Sequence, residues 1–137
     1  KIKKSTKPDN ILHQAYKMMG IPYLWGGNST KGNDCSGFTQ TIFKANGIQL
    51  PRDARQQALE GIEITPNGDW SNILEGDLLF FGKEDRVTHV GISLGKKEFI
   101  HQGGKVAVNS LDDGSEYFSS DRLKSFLFIK RILRQSS

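Results

Sequence analysis

The apolar residues of this chain change their period after Glu60. Upstream they recur at helical spacing. Ile11, Leu12, Ala15, Tyr16, Met18 and Met19 follow an i, i+3, i+4, i+7 pattern, which predicts a helix over 9–19 with Asp9 as cap and Gly20 as stop. His13 falls off that stripe and should face solvent. Phe38, Ile42, Phe43 and Ala45 predict a second helix over 35–46, ended by Gly47. A short helix over 52–60 should follow Pro51. Downstream the apolar runs are strand-sized. Residues 77–81, 88–94, 98–101, 106–109 and 126–133 read as strands, with a turn at Gly95-Lys96-Lys97 and one helical turn over 120–125. Helices first, then strands at hairpin spacing, imply an α+β fold with N-terminal helices packed on an antiparallel sheet.

A chain of 137 residues suits one such core and not two. Lys1, Lys3, Lys4 and Lys7 make residues 1–8 a basic linker or tail, and residues 9–137 the domain. Nineteen basic residues face fifteen acidic ones, a net charge of +4 that the tail alone nearly accounts for. No basic stripe with interleaved aromatics remains, so a nucleic-acid partner is not expected. No apolar run nears the roughly 18–20 residues of a membrane span. No apolar core follows the basic start, as it would in a signal peptide. The chain opens without Met and reads as a mature protein or an excised domain.

Cys35 is the sole cysteine, so no disulfide can form within the chain. A lone cysteine is either a small buried hydrophobe or a reactive thiol. Its setting favours the second. A thiol at a helix start faces free N–H groups and the positive end of the helix dipole, which should lower its pKa. Asp34 can cap that helix, and Ser36 and Gly37 keep its first turn small. A base should come from a separate element. His89 and His101 fall on neighbouring predicted strands, where a hairpin would make them cross-strand neighbours. One can act as base while the other holds its ring. Taken singly, each histidine reads better as structural. A zinc site of one Cys and two His is the other alternative, although no C-x-x-C or H-E-x-x-H spacing is present.

Five segments then carry a resemblance. They are Pro22-Tyr23-Leu24-Trp25-Gly26-Gly27, Asp34-Cys35-Ser36-Gly37-Phe38, Leu50-Pro51-Arg52-Asp53-Ala54-Arg55-Gln56-Gln57, Glu75-Gly76-Asp77-Leu78-Leu79-Phe80-Phe81 and Thr88-His89-Val90-Gly91-Ile92. In this order they resemble the NlpC family of papain-like bacterial cell-wall cysteine peptidases, over about residues 9–133. The resemblance implies a papain-like fold and cleavage of peptidoglycan stem peptides or free muropeptides at the bond between γ-D-glutamate and diaminopimelate or lysine. It implies Cys35 as nucleophile, His89 as base and His101 as third polar residue. Tyr23 would assist the oxyanion site. Ser36 and Asp53 would line the substrate pocket, the Asp53 carboxylate meeting a free α-amino group; the alternative for Asp53 is a helix cap before Ala54-Arg55-Gln56, and it could serve both roles. No metal or cofactor is implied. The setting would be the bacterial cell envelope, or the cytoplasm for an enzyme recycling wall peptides. This chain has no room for the upstream wall-binding domain that some members carry; either such a domain was removed, or the cleft is open and longer stems are accepted. A thiol amidase on the same fold and a non-catalytic peptidoglycan-binding module are the alternatives.

Overall fold

A computed structural model describes residues 8–17, 34–103 and 105–133. Helix α1 (Pro8–Lys17) begins with proline at its first position, where the missing N–H costs nothing. Ile11, Leu12 and Ala15 bury its apolar face, and His13 is exposed as expected. Tyr16, assigned to that face from spacing, is half exposed instead. Met18, Met19 and Gly20 lie outside the described residues.

Helix α2 (Cys35–Ala45) starts where the sequence predicted, and Asp34 caps it by accepting the Gly37 N–H at 2.8 Å. Gly47 follows with φ +82°, the left-handed conformation that ends many helices. Helix α3 (Ala54–Gln57) is shorter than the expected 52–60.

Six strands form one antiparallel sheet. In chain order they are β1 (Ile62–Ile64), β2 (Leu78–Lys83), β3 (Arg86–Gly95), β4 (Glu98–Gln102), β5 (Val106–Ser110) and β6 (Phe126–Arg131). Their order across the sheet is β1-β6-β2-β3-β4-β5. Helix α4 (Ser120–Ser125) leads into β6. The expected α+β, papain-like layout is therefore present, with one unforeseen strand, β1, at the sheet edge.

The unbroken run Leu78-Leu79-Phe80-Phe81 reflects burial on both faces of β2. Leu78 and Phe80 join Phe38, Ile42, Phe43, Val90, Ile92 and Ile100 in the core beneath the helices. Leu79 and Phe81 join Ile73, Phe99, Leu111 and Ile129 in a second core on the opposite face. Asp77, nearly inaccessible, is held by Arg131 through two 2.8 Å bonds and accepts the Leu74 N–H, so the last strand is tied to the turn before β2.

One irregularity positions the site. Phe81 pairs with His89, but the next residue, Gly82, pairs with Val87. Thr88 is thus the extra residue of a β-bulge, a feature that re-aims neighbouring side chains. A Cβ at Gly82 would run into the Arg86 carbonyl oxygen, so this tight passage requires glycine. After the bulge Val90 and Ile92 point to the helical core, and His89 lies on the Phe81 face.

Candidate active site

Cys35 stands on the first residue of α2, partly buried, and its Sγ lies 3.9 Å from the carbonyl oxygen of the bulged Thr88. The helical layer thereby delivers the thiol to the strand position just before His89. Within the first turn, Asp34 takes the N–H groups of Gly37 and Phe38 through its side chain and carbonyl. The amide of Cys35 has no hydrogen-bonded acceptor among the described residues, and so stays available to an anion beside the thiol, while the Ser36 amide is turned to the thiol itself.

The turn is braced from below. Arg52 donates to Asp34 Oδ1 at 3.2 Å and to Ser36 Oγ at 3.0 Å. Gln57, fully buried, donates to the carbonyls of Ser36 and Pro51 and accepts from Thr39 at 2.7 Å. Ser36 is buried, and its hydroxyl is engaged in this brace. Asp53 precedes α3, but its carboxylate makes no capping bond and is exposed. It directly follows Arg52, the residue that braces the first turn of α2. Tyr23 lies outside the described residues.

The two histidines meet as the hairpin predicted, His89 Nε2 to His101 Nδ1 at 2.7 Å. The β3–β4 register pairs Ile92 with Ile100 and Ser93 with Phe99. Continued, it sets His101 opposite Gly91, so the two rings meet diagonally across a residue without a side chain.

The contact continues to Asn109, a residue the sequence reading did not single out. His101 Nε2 lies 2.8 Å from Asn109 Oδ1, and Asn109 Nδ2 donates to the Tyr117 carbonyl at 3.1 Å. A carbonyl only accepts, which orients the amide and presents Oδ1 to His101. His101 Nε2 must then carry the proton, and its Nδ1 accepts from His89 Nε2–H. In neutral His89 this leaves Nδ1 unprotonated, with a lone pair that can accept a proton. The chain of bonds thus selects the tautomer that a general base needs.

The charges differ from the sequence expectation. Burial pushes the Cys35 thiol above its usual pKa and the Asp34 carboxylate adds to the rise; the Val90 and Ser36 backbone amides and the Arg122 charge oppose it. The helix start contributes as foreseen, but desolvation outweighs it. His89 is pushed down to about 2 by burial, Arg122 and His101. His101 falls to about 4 through burial and Arg122, against the Asn109 bond. The resting site therefore holds a neutral thiol and a neutral imidazole. Among the described residues no group of three His, Cys, Asp or Glu side chains is placed to hold a metal.

Comparison with known proteins shows the family and the fold. The NlpC/P60 family model matches residues 20–125. The gamma-D-glutamyl-L-lysine dipeptidyl-peptidase of Bacillus subtilis (strain 168) is 46% identical over 101 residues, covering 72% of this chain and 32% of that protein. The protein of the same name from Bacillus cereus (strain ATCC 10987 / NRS 248) is 38% identical over 96 residues, 68% of this chain and 28% of its own. A solved NlpC/P60 family protein from Bacillus cereus ATCC 10987 superposes with a TM-score of 0.77 at 29% identity, over 96% of this chain and 42% of that one. The fold and the cysteine–histidine site define a papain-like domain, and the chain belongs to the NlpC/P60 family. It spans about a third or less of the length of these curated relatives.

Proposed function

We propose that this chain is the catalytic domain of a cysteine peptidase that cleaves peptidoglycan stem peptides at the γ-D-glutamyl–diamino acid bond. The observation that carries the reading is the Cys35 thiol at the start of α2, set over the bulge that aims His89, with His89 held in its basic tautomer by His101 and Asn109. The names of the two Bacillus relatives support the bond type. A wall substrate supports a setting in the cell envelope, with the cytoplasm as the alternative if the enzyme recycles free wall peptides. No helix among the described residues is long and apolar enough to cross a membrane.

In the mechanism, Cys35 Sγ attacks the scissile carbonyl carbon as its proton passes to His89 Nδ1. The oxyanion is met by the Cys35 N–H, and by the Tyr23 hydroxyl as the family resemblance implies. His89 then protonates the leaving amine, which departs and leaves a thioester. Water adds to the thioester with His89 taking its proton. The carboxylic product leaves and the thiol regains its proton. Asp53 binds the free α-amino group of the substrate, and Ser36 acts through the braced first turn. The test is hydrolysis of L-Ala-γ-D-Glu-L-Lys and its diaminopimelate analogue by wild type and Cys35→Ala. Turnover by wild type alone, unaffected by EDTA, is expected; turnover surviving in Cys35→Ala would sink the assignment.

A further inference from the structure

Arg122 belongs to none of the roles above. It sits on α4, far along the chain from Cys35, yet its guanidinium carbon lies 5.7 Å from the centre of the Phe81 ring. The same ring packs against His89, at 5.6 Å between centroids. A Cβ built on Gly103 would fall 3.5 Å from Arg122 Nη2 and 3.2 Å from His101 Cε1, so the guanidinium and the His101 ring flank one bare glycine. Its charge is felt at Cys35, His89 and His101.

Among the described residues this cation has no anionic partner. It is half-buried, and its guanidinium forms no ion pair or hydrogen bond with another described residue. Asp121, its exposed neighbour in sequence, acts on it only through space. The segment leading into Cys35, residues 18–33, contains no Asp or Glu, so it has no acidic side chain to offer. A partly desolvated charge is costly unless an anion meets it. Arg52, by contrast, has Asp34 within 3.2 Å.

We propose that Arg122 is a specificity-determining residue that binds a carboxylate of the substrate beside the scissile carbonyl. This rests on the peptidase reading and deepens it. In a γ-linked glutamate, the residue that supplies the scissile carbonyl also carries a free α-carboxylate, which matches the planar two-pronged donor of arginine. The chain therefore takes peptides whose γ-linked residue keeps its α-carboxylate and discriminates against those in which it is a primary amide.

The experiment compares L-Ala-γ-D-Glu-L-Lys with the peptide whose glutamyl α-carboxylate is amidated. Turnover is followed in wild type, Arg122→Gln and Arg122→Lys, and binding by calorimetry in Cys35→Ala with and without Arg122→Gln. Wild type should favour the carboxylate peptide by about 10- to 100-fold in kcat/KM, the usual worth of a charge-assisted hydrogen bond. Arg122→Gln should bring the ratio close to one, mainly through the carboxylate peptide, and Arg122→Lys should keep part of it. Equal cleavage of both peptides by wild type, or an equal loss on both in Arg122→Gln, overturns the proposal and leaves the peptidase reading standing. Selective binding without cleavage upholds Arg122 and removes the peptidase reading. Absence of binding of either peptide overturns both.

Discussion

Gly91 lies opposite His101, and a Cβ added there would fall 3.1 Å from His101 Cβ and 3.0 Å from Phe99 Cδ2. The bare strand position is what lets the His101 ring cross towards His89. Phe99 is fully buried and cannot retreat, so a methyl group at Gly91 must push on His101. Gly91→Ala should lower stability by about 1–3 kcal/mol, the usual cost of overpacking, and reduce kcat with little change in KM. Urea unfolding and steady-state kinetics measure both. Wild-type kcat in a folded Gly91→Ala protein would show that the 2.7 Å contact between the histidines is dispensable.

Asn109 should act on the reaction through the tautomers. Asn109→Leu leaves the His101 Nε2–H without an acceptor and frees His101 to present either nitrogen to His89. A fall in kcat of about 10- to 100-fold is expected, equivalent to one or two hydrogen bonds. Asn109→Asp keeps an oxygen towards His101 and should recover most of the loss. Nitrogen NMR of the wild-type imidazoles supplies the direct readout, with His89 unprotonated at Nδ1. A protonated Nδ1 would refute the relay.

These two residues mark where the sequence stopped being legible. The pairing of His89 with His101 could be read because a hairpin turn at Gly95 sets register locally. The start of α2 was legible for a similar reason, since Asp34, Ser36 and Gly37 are adjacent in the chain. Gly91 looked like any glycine in a strand, and its use is visible only once His101 lies across it. Asn109 sits in a strand whose alternation is weak. Arg122 reaches the site from a six-residue helix with no buried residues, so no apolar pattern marked it. Strand β1 is three residues long with Ile62 largely exposed, and its pairing with β6 is a tertiary event. The thiol shift runs opposite to the sequence expectation for a related cause. Helix-end effects are local, whereas burial depends on how β3 packs against α2.

Both histidines are buried in neutral form, which makes folding pH-dependent. Their folded pKa values, about 2 for His89 and about 4 for His101, lie below the ordinary 6.5. The unfolded chain therefore binds more protons than the folded one in mild acid. The stability that neutral burial contributes is present above pH 6.5 and is lost as pH falls. The loss from His101 ends near its folded value, and that from His89 continues lower. Each contributes a slope of at most about 1.4 kcal/mol per pH unit. Urea midpoints measured from pH 7 to about pH 4.5 should fall accordingly, and His101→Gln should make the decline shallower. A flat profile would mean that the imidazoles are solvated.

A neutral resting pair also predicts how Cys35 reacts with a small electrophile that makes no use of the substrate pocket. If thiolate and imidazolium were already formed, alkylation by iodoacetamide would reach a plateau near neutral pH, because the thiolate fraction would be complete. Here burial and Asp34 hold the thiol above its ordinary value of 9.0, and His89 is too weakly basic at rest to remove its proton. The alkylation rate should instead climb by about tenfold per unit between pH 6 and pH 9, following the thiolate fraction. Arg122 is one of the groups drawing the thiol pKa down, so Arg122→Gln should slow alkylation at every pH in that range. Peptide substrates differ because attack and proton transfer to His89 occur together, with the oxyanion held by the Cys35 amide. Their kcat/KM should therefore be flat around neutrality while the alkylation rate still rises. A plateau in alkylation between pH 6 and pH 8 would establish a preformed ion pair and overturn the neutral assignment.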